Sequence, residues 1–339
     1  MANDEYEKLL REVSTYFTEN YNFRNARRIG SGAYATAIAF DEYVPGKQSR
    51  KVVVKVALDA DSEESIINED KHLKSVRGAE HIVRLLYPNL LALSHRAIVI
   101  EYVEHGHWED ILGRFISGGQ RIPNRILWGV FLCLTRAVIG MAWPQHAGAN
   151  DQPKREQIQK DPPGRLAHQD LSLQNILVGI WKKNDPEHRF SPITKVIDFG
   201  NAAVLPPREG LGVITGIADN INEIGRVMLW LAIGHRGYEI LDCEVRDGPN
   251  LPMRIIQSRA HYDLIDGSIS DELRFLIRRC RAVDPKERPK LSDLLKICQN
   301  AVRNHTAADY TDLNEPWPQY ERDDELDRLI QKFILNADT

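Results

Sequence analysis

Cysteine is scarce in this chain, and its placement carries no pattern. Cys133, Cys243, Cys280 and Cys298 lie far apart with no C-x-x-C spacing, so neither a zinc site nor a disulfide framework is suggested by them. They read as helix and loop packing residues. A basic surplus is missing too. The 44 Lys and Arg against 48 Asp and Glu leave a formal charge of −4, and no nucleic-acid or anionic-membrane partner is expected. The longest uncharged apolar run, Ile126 to Thr135, is closed by Arg136 and is too short to span a bilayer. The opening residues, Met1-Ala2-Asn3-Asp4-Glu5, lack the basic-then-apolar order of a secretion signal. Repeats and low-complexity tracts are also lacking. These absences lead us to expect a globular protein of a reducing compartment, cytoplasmic or nucleocytoplasmic. With 339 residues, 42% hydrophobic and 27% charged, the chain can hold one large domain or two lobes.

What is present changes character along the chain. Asp4 to Phe17 carries Leu9, Leu10, Val13 and Phe17 at helical spacing. From Ala26 the period shortens. Short strands are expected at 28–30, 37–40 and 51–56, a helix at 61–76 with acidic residues in its first turn, then strands at 82–86 and 97–103. Beyond Gly106 the pattern is mostly helical, with candidates at 108–115, 126–142, 221–233, 271–281 and 291–302. A β-rich part followed by a larger α-rich part predicts an α+β protein of two lobes. Residues 145–165, 181–192 and 306–324 read as loops. An amphipathic helix follows at 325–336, with Leu326, Leu329, Ile330, Phe333 and Ile334 on one face. That face is expected to dock on the large lobe or, alternatively, to bind a partner.

The most informative stretch is Ala167-His168-Gln169-Asp170-Leu171-Ser172-Leu173-Gln174-Asn175-Ile176-Leu177-Val178. An Asp and an Asn five residues apart, leading into an apolar strand, can set a carboxylate and a carboxamide around one metal–phosphate site. Asp198, within Lys195-Val196-Ile197-Asp198-Phe199-Gly200, follows 23 residues after Asn175 and brings a second carboxylate to a Gly-permitted turn. Two Asp and an Asn suit magnesium, which takes hard oxygen ligands and keeps substrate phosphates in its shell.

In this order and spacing the chain resembles the eukaryotic protein kinase family. Ile29-Gly30-Ser31-Gly32-Ala33-Tyr34-Ala35 resembles the glycine-rich loop over the ATP phosphates, and Val53-Val54-Lys55-Val56 the third-strand lysine motif. Asn68-Glu69-Asp70-Lys71-His72-Leu73 resembles the helix C segment, Ile98 to Val103 the strand entering the hinge, and Asp284 to Pro289 the segment before the last large-lobe helix. The resemblance spans about residues 24–300. It implies a bilobal protein kinase-like fold, with a small five-stranded antiparallel β lobe carrying helix C and a larger, mainly helical lobe. Its boundaries would be a helical extension at 1–23, the small lobe at 24–103, the large lobe at 104–305 and an acidic tail at 306–339.

The resemblance also implies roles. Lys55 would hold the ATP α- and β-phosphates, with Glu69 orienting it. Asp198 and Asn175 would bind Mg2+, and Asp170 would sit where the acceptor hydroxyl loses its proton. Ile29, Gly30 and Gly32 would cover the nucleotide, Glu101 and Val103 would pair with adenine through their backbone, and Ile100 would guard the deeper pocket. His168 is expected to be structural. The implied activity is transfer of the ATP γ-phosphoryl to a hydroxyl, on a protein Ser/Thr first and on a small molecule second. The competing expectations are a catalytically impaired pseudokinase serving as a nucleotide-binding scaffold or allosteric partner and, on the same fold, an adenylyl transferase.

Departures from the family pattern bear on the acceptor. Gln169 stands where an arginine usually reads a phosphorylated activation loop, so activity is not expected to depend on phosphorylation, at Thr215 for example. Ser172 replaces a lysine near the transferring phosphate, and Ala35 replaces the third loop glycine. No Ala-Pro-Glu follows Asp198-Phe199-Gly200, and that segment is short by roughly a dozen residues. The helix F brace falls on Asp219 or Asn220. Arg288 loses its usual partner, with Glu209 as a candidate replacement. The loops at 145–165 and 181–192 are expected to shape the acceptor side.

Overall fold

Strand alternation decides the first of two compact units. The computed structural model describes residues 2–46, 48–90, 94–148, 151–207, 212–248 and 251–335. Five strands, β1 (Phe23–Ser31), β2 (Ala35–Glu42), β3 (Arg50–Ala57), β4 (Leu85–Leu90) and β5 (Ala97–Glu101), form one antiparallel sheet in the order β1-β2-β3-β5-β4. On β3, Val52, Val54 and Val56 point to one face and join Ile38, Phe40 and Val99 in a buried cluster. Helix α1 (Ala2–Tyr21) covers this face with Leu9, Val13 and Phe17, and Phe17 stacks on Phe23 at 5.2 Å. The leading helix is thus part of the sheet's core. Helix α2 (Glu63–Ser75) packs on β3 and β4. Residues 144–154 and 198–202 also belong to this unit. The first of these runs beside the end of α2, where Lys154 N–H donates to Gly78 C=O and Glu80 N–H to Lys154 C=O.

The second unit is mainly helical. It contains α3 (Trp108–Ser117), α4 (Asn124–Ala142), α5 (Thr215–Ile233), α6 (Asp271–Cys280), α7 (Leu291–Asn304) and α8 (Asp323–Leu329), the last continuing as a π turn over Ile330–Leu335. Among the described residues α4 alone is long and apolar enough to cross a membrane, and it is wholly buried as the central helix of this unit. The short strands β6 (Leu166–Ala167) and β9 (Ala203–Val204) pair with each other, as do β7 (Ile176–Val178) and β8 (Thr194–Val196). Leu326, Leu329, Ile330, Phe333 and Ile334 are buried, and Phe333 packs on Phe115 of α3 at 4.7 Å. The apolar face of the last helix is therefore covered by the chain itself. Residue 336 of that expected helix lies outside the described residues.

Two differences from the sequence reading concern α5 and its sequel. α5 begins at Thr215 rather than Ile221. Its polar early residues, Asp219 and Asn220, turn out to be engaged by the chain rather than marking a loop. A hairpin of β10 (Glu239–Val245) and β11 (Arg254–Ala260), unforeseen from the sequence, follows α5.

The 181–192 loop is pinned by one buried carboxylate. Glu187 accepts from Arg136 of α4 at 2.8 and 2.9 Å, from Arg303 of α7 at 2.7 Å and from Gln299 at 3.1 Å. Arg155 stands 3.7 Å away and also pairs with Asp185. Burial works against charge on Glu187, but the arginines outweigh it and hold the carboxyl down at about 2.

Phe17→Ala should cost the first unit about 3–5 kcal/mol, since a fully buried ring leaves a cavity between α1 and the sheet. Urea unfolding followed by a probe in the sheet measures this. A loss below about 1 kcal/mol would mean that α1 is not integral to the core.

Candidate active site

In the first unit, the face of β3 turned away from α1 carries Lys55. Its neighbours across the sheet are Ala37 and Ile98. Lys55 Nζ lies 2.6 Å from Glu69 Oε2 of α2 and 2.7 Å from Asp198 Oδ1. Glu69 is fully buried, Lys55 is 15% exposed and Asp198 is 39% exposed. Burial opposes the Lys55 charge, yet the two carboxylates outweigh it and hold the ammonium above its ordinary range. Burial, with Asp198 nearby, pushes the Glu69 carboxyl up against the pull of Lys55.

The turn carrying Asp198 is held by one face of α2. Asn68 Nδ2 donates to the carbonyls of Gly200 and Ala202 at 2.8 and 2.9 Å. A Cβ at Gly200 would stand 2.3 Å from Ser65 Oγ, so a larger residue here would require the Ser65 hydroxyl to turn away. His72 also bonds the Ala202 backbone. Ser65, Asn68, Glu69 and His72 follow the i, i+3, i+4, i+7 rhythm of a helix face. Asn68 was not singled out in the sequence, although this polar stripe was a readable signal. Asp198 itself is left-handed, with φ 65°. For a non-glycine residue this costs of order 1–3 kcal/mol.

Ile29, Gly30 and Gly32 lie on the largely exposed β1 and its turn into β2. Gly32 N–H donates to Ala35 C=O at 2.8 Å. Neither glycine has a positive φ, and a Cβ at Gly30 would meet nothing within 4 Å. The fold itself therefore does not demand glycine at either position. Ala35, in place of a third glycine, sits on β2 without a positive φ. Glu101 ends β5, its Oε1 accepting from Arg84 N–H at 2.8 Å, and Val103 opens the second unit as a buried residue.

In the second unit, Asp170 and Asn175 are brought together. Asn175 Nδ2 donates to the Asp170 carbonyl at 2.8 Å and to its Oδ2 at 3.1 Å. Both amide hydrogens are thus directed at Asp170, and Oδ1 remains as the acceptor of the side chain. His168 is fully buried. Its Nδ1 accepts from Asp170 N–H at 3.2 Å and its Nε2 meets the Ile197 carbonyl at 2.9 Å, a structural role as expected. Gln169 between them is left-handed, φ 64°.

α5 supports this loop with three polar residues. Asn220 accepts from His168 N–H at 2.9 Å and donates to Leu166 C=O at 2.9 Å. Glu223 accepts from Leu171 N–H, and Arg226 donates to Leu171 C=O at 2.8 Å. Asn220 therefore takes the bracing position that the sequence left open between it and Asp219. Asp219 instead lies 3.8 Å from Arg288, whose guanidinium also donates to the carbonyls of Ala218 and Ala282. Glu209 lies outside the described residues. Thr215 is buried and donates its hydroxyl to Pro206 C=O at 2.9 Å.

Glu223 was not foreseen, because a single Glu on a helix looks like a solvated charge. Burial pushes its carboxyl up to about 7, with Asp170 and Asp219 adding to the rise against Arg226 and the Leu171 N–H. Between the ordinary Glu value and 7 the folded chain binds more protons than the unfolded one, so stability falls as pH rises through that window. Wild type should lose up to about 3 kcal/mol from pH 4.5 to 7.5 relative to Glu223→Gln. Urea midpoints across this range read the difference, and parallel profiles for the two proteins would remove Glu223 as a titrating group. Comparison with protein-family models and with curated proteins finds no match for this chain.

Proposed function

We propose that the protein is an ATP- and magnesium-dependent phosphotransferase of the protein kinase type, with a bilobal kinase-like fold. The observation that carries this reading is the Lys55–Glu69–Asp198 group. A structural ion pair would close on itself, whereas here a buried glutamate fixes the lysine from behind and Asp198 stays 39% exposed. That leaves a lysine braced from within and a partly exposed carboxylate beside it, an arrangement suited to phosphate and metal binding. Open space at Gly30 supports close approach of a ligand to the β1–β2 turn.

Asp198 and the Asn175 Oδ1 are each hard oxygen donors of the kind that magnesium takes. Mg2+ on these residues would neutralise charge on the phosphate oxygens. Lys55 would hold the α- and β-phosphates, oriented by Glu69. The backbone of Glu101 and Val103 would receive adenine. The acceptor hydroxyl oxygen would bond to the γ-phosphorus while the bond from that phosphorus to the β,γ-bridging oxygen breaks and ADP leaves. Asp170, steadied by Asn175, would take the hydroxyl proton. A protein Ser/Thr is the first acceptor class and a small-molecule alcohol the second, which the short segment after Asp198 and Ser172 favour. Ser172 also supports the second reading, a nucleotide-binding scaffold, since a cation near the transferring phosphate is lost.

ATP with magnesium at about 100 times its Kd should stabilise the protein by about 2.7 kcal/mol and raise its melting temperature by several degrees. The shift should vanish in Asp198→Ala. Phosphate transfer to a panel of protein and small-molecule hydroxyls should vanish in Asp170→Asn. A shift with no transfer by wild type would establish the scaffold instead. The absence of any nucleotide-dependent shift would overturn both readings.

A further inference from the structure

We propose that His235, His261 and Asp263 form a divalent-metal site, with zinc the fitting ion, that clips the base of the β10–β11 hairpin. The three residues lie together in the second unit, with ligand atoms all within 4.8 Å of one another. His235 Nε2 is 2.7 Å and His261 Nδ1 is 3.6 Å from Asp263 Oδ2. Zinc bonds of about 2.0–2.1 Å in a tetrahedron set neighbouring ligand atoms about 3.3 Å apart. The observed spacings bracket that value, so small side-chain rotations complete the set, with water as the fourth ligand.

Each ligand stands at an anchored point of the backbone. His235 follows Gly234, the left-handed cap that ends α5. Its Nδ1 lies 3.5 Å from the Arg236 carbonyl, the arrangement that directs Nε2 toward a metal. His261 immediately follows β11 and caps the 3-10 turn over Tyr262–Ile265, accepting from Asp263 N–H at 3.2 Å. A metal on Nδ1 would replace that long bond, and the amide would turn to solvent. The two imidazoles meet edge to face at 4.7 Å, and the Gly237 backbone runs past both.

The donor chemistry selects the ion. Two imidazoles and one carboxylate suit zinc and disfavour magnesium or calcium, which take oxygen shells. The placement suggests the role. β10 leaves from the end of α5 and β11 returns beside it, and His235 and His261 flank the two strands on the α5 side. One ion shared between them would tie ends that the β10–β11 ladder already brings side by side, with Glu239 opposite Ala260, and binding to the folded chain alone stabilises it.

The test uses the full chain, stripped with a chelator and titrated with zinc alone. We expect one equivalent bound per chain, not displaced by millimolar magnesium, and affinity lower by at least about tenfold in His235→Ala, His261→Ala and Asp263→Asn. These side chains are exposed or half-buried, and circular dichroism of the variants checks that they fold. Cobalt in place of zinc should give a tetrahedral visible spectrum without a sulfur charge-transfer band. No saturable equivalent in wild type, equal binding by His235→Ala and His261→Ala, or a sulfur band marking a cysteine site would each overturn the proposal.

Discussion

The stretch from Leu166 to Leu171 depends on side chains for its backbone hydrogen bonds. Its strand β6 is two residues long, so most of its polar groups have no sheet partner. Buried N–H and C=O groups left unpaired would each cost of order 1–3 kcal/mol. α5 meets this constraint with Asn220, Glu223 and Arg226, which reach the backbone at Leu166, His168 and Leu171. His168 adds a bond to Asp170 N–H from inside the loop. The left-handed Gln169 is tenable because its neighbours on both sides are held. The position of Asp170 therefore traces back to a helix that never carries the carboxylate itself.

A comparable logic governs the turn at Asp198. α2 presents a polar stripe to it, and the stripe does two jobs at once. Asn68 fixes the backbone of the turn, and one helical position later Glu69 fixes Lys55. The lysine then bonds the Asp198 carboxylate, so the turn is held through both its main chain and its side chain. α1 contributes from the opposite face of the sheet. By covering Val52, Val54 and Val56 it commits the strand's alternation, which leaves Lys55 no choice of side.

Much of this was legible because strands and chemistry leave ordered marks. Val-Val-Lys-Val, the Asp–Asn pair and Asp-Phe-Gly declare themselves by type and sequence order, and the five strands by alternation between turn residues. The supports were not legible. Asn68, Asn220 and Glu223 are single polar residues on helices, indistinguishable in sequence from solvated ones until the facing backbone is known. α5 was read six residues short because its first turns carry polar groups that serve the chain's interior. The β10–β11 hairpin escaped notice because Glu239 to Val245 mixes charged and apolar residues on an exposed face, although Asp247-Gly248-Pro249-Asn250 is a turn signal between the two runs. Histidines 235 and 261 stood too far apart in sequence to suggest a pair.

The convergence of arginines on Glu187 has a consequence for how the sequence can drift. Arg136, Arg155 and Arg303 come from separate parts of the chain and share one carboxylate. Replacing any one arginine leaves the anion with two others, so each change alone is tolerable. Replacing the glutamate strands the buried Arg136 beside two other cations, of which Arg155 keeps Asp185 and Arg303 is half exposed. The effects at these positions are therefore non-additive, and the order in which they change matters. An arginine can be lost first and the carboxylate later, but the reverse order passes through an unstable protein.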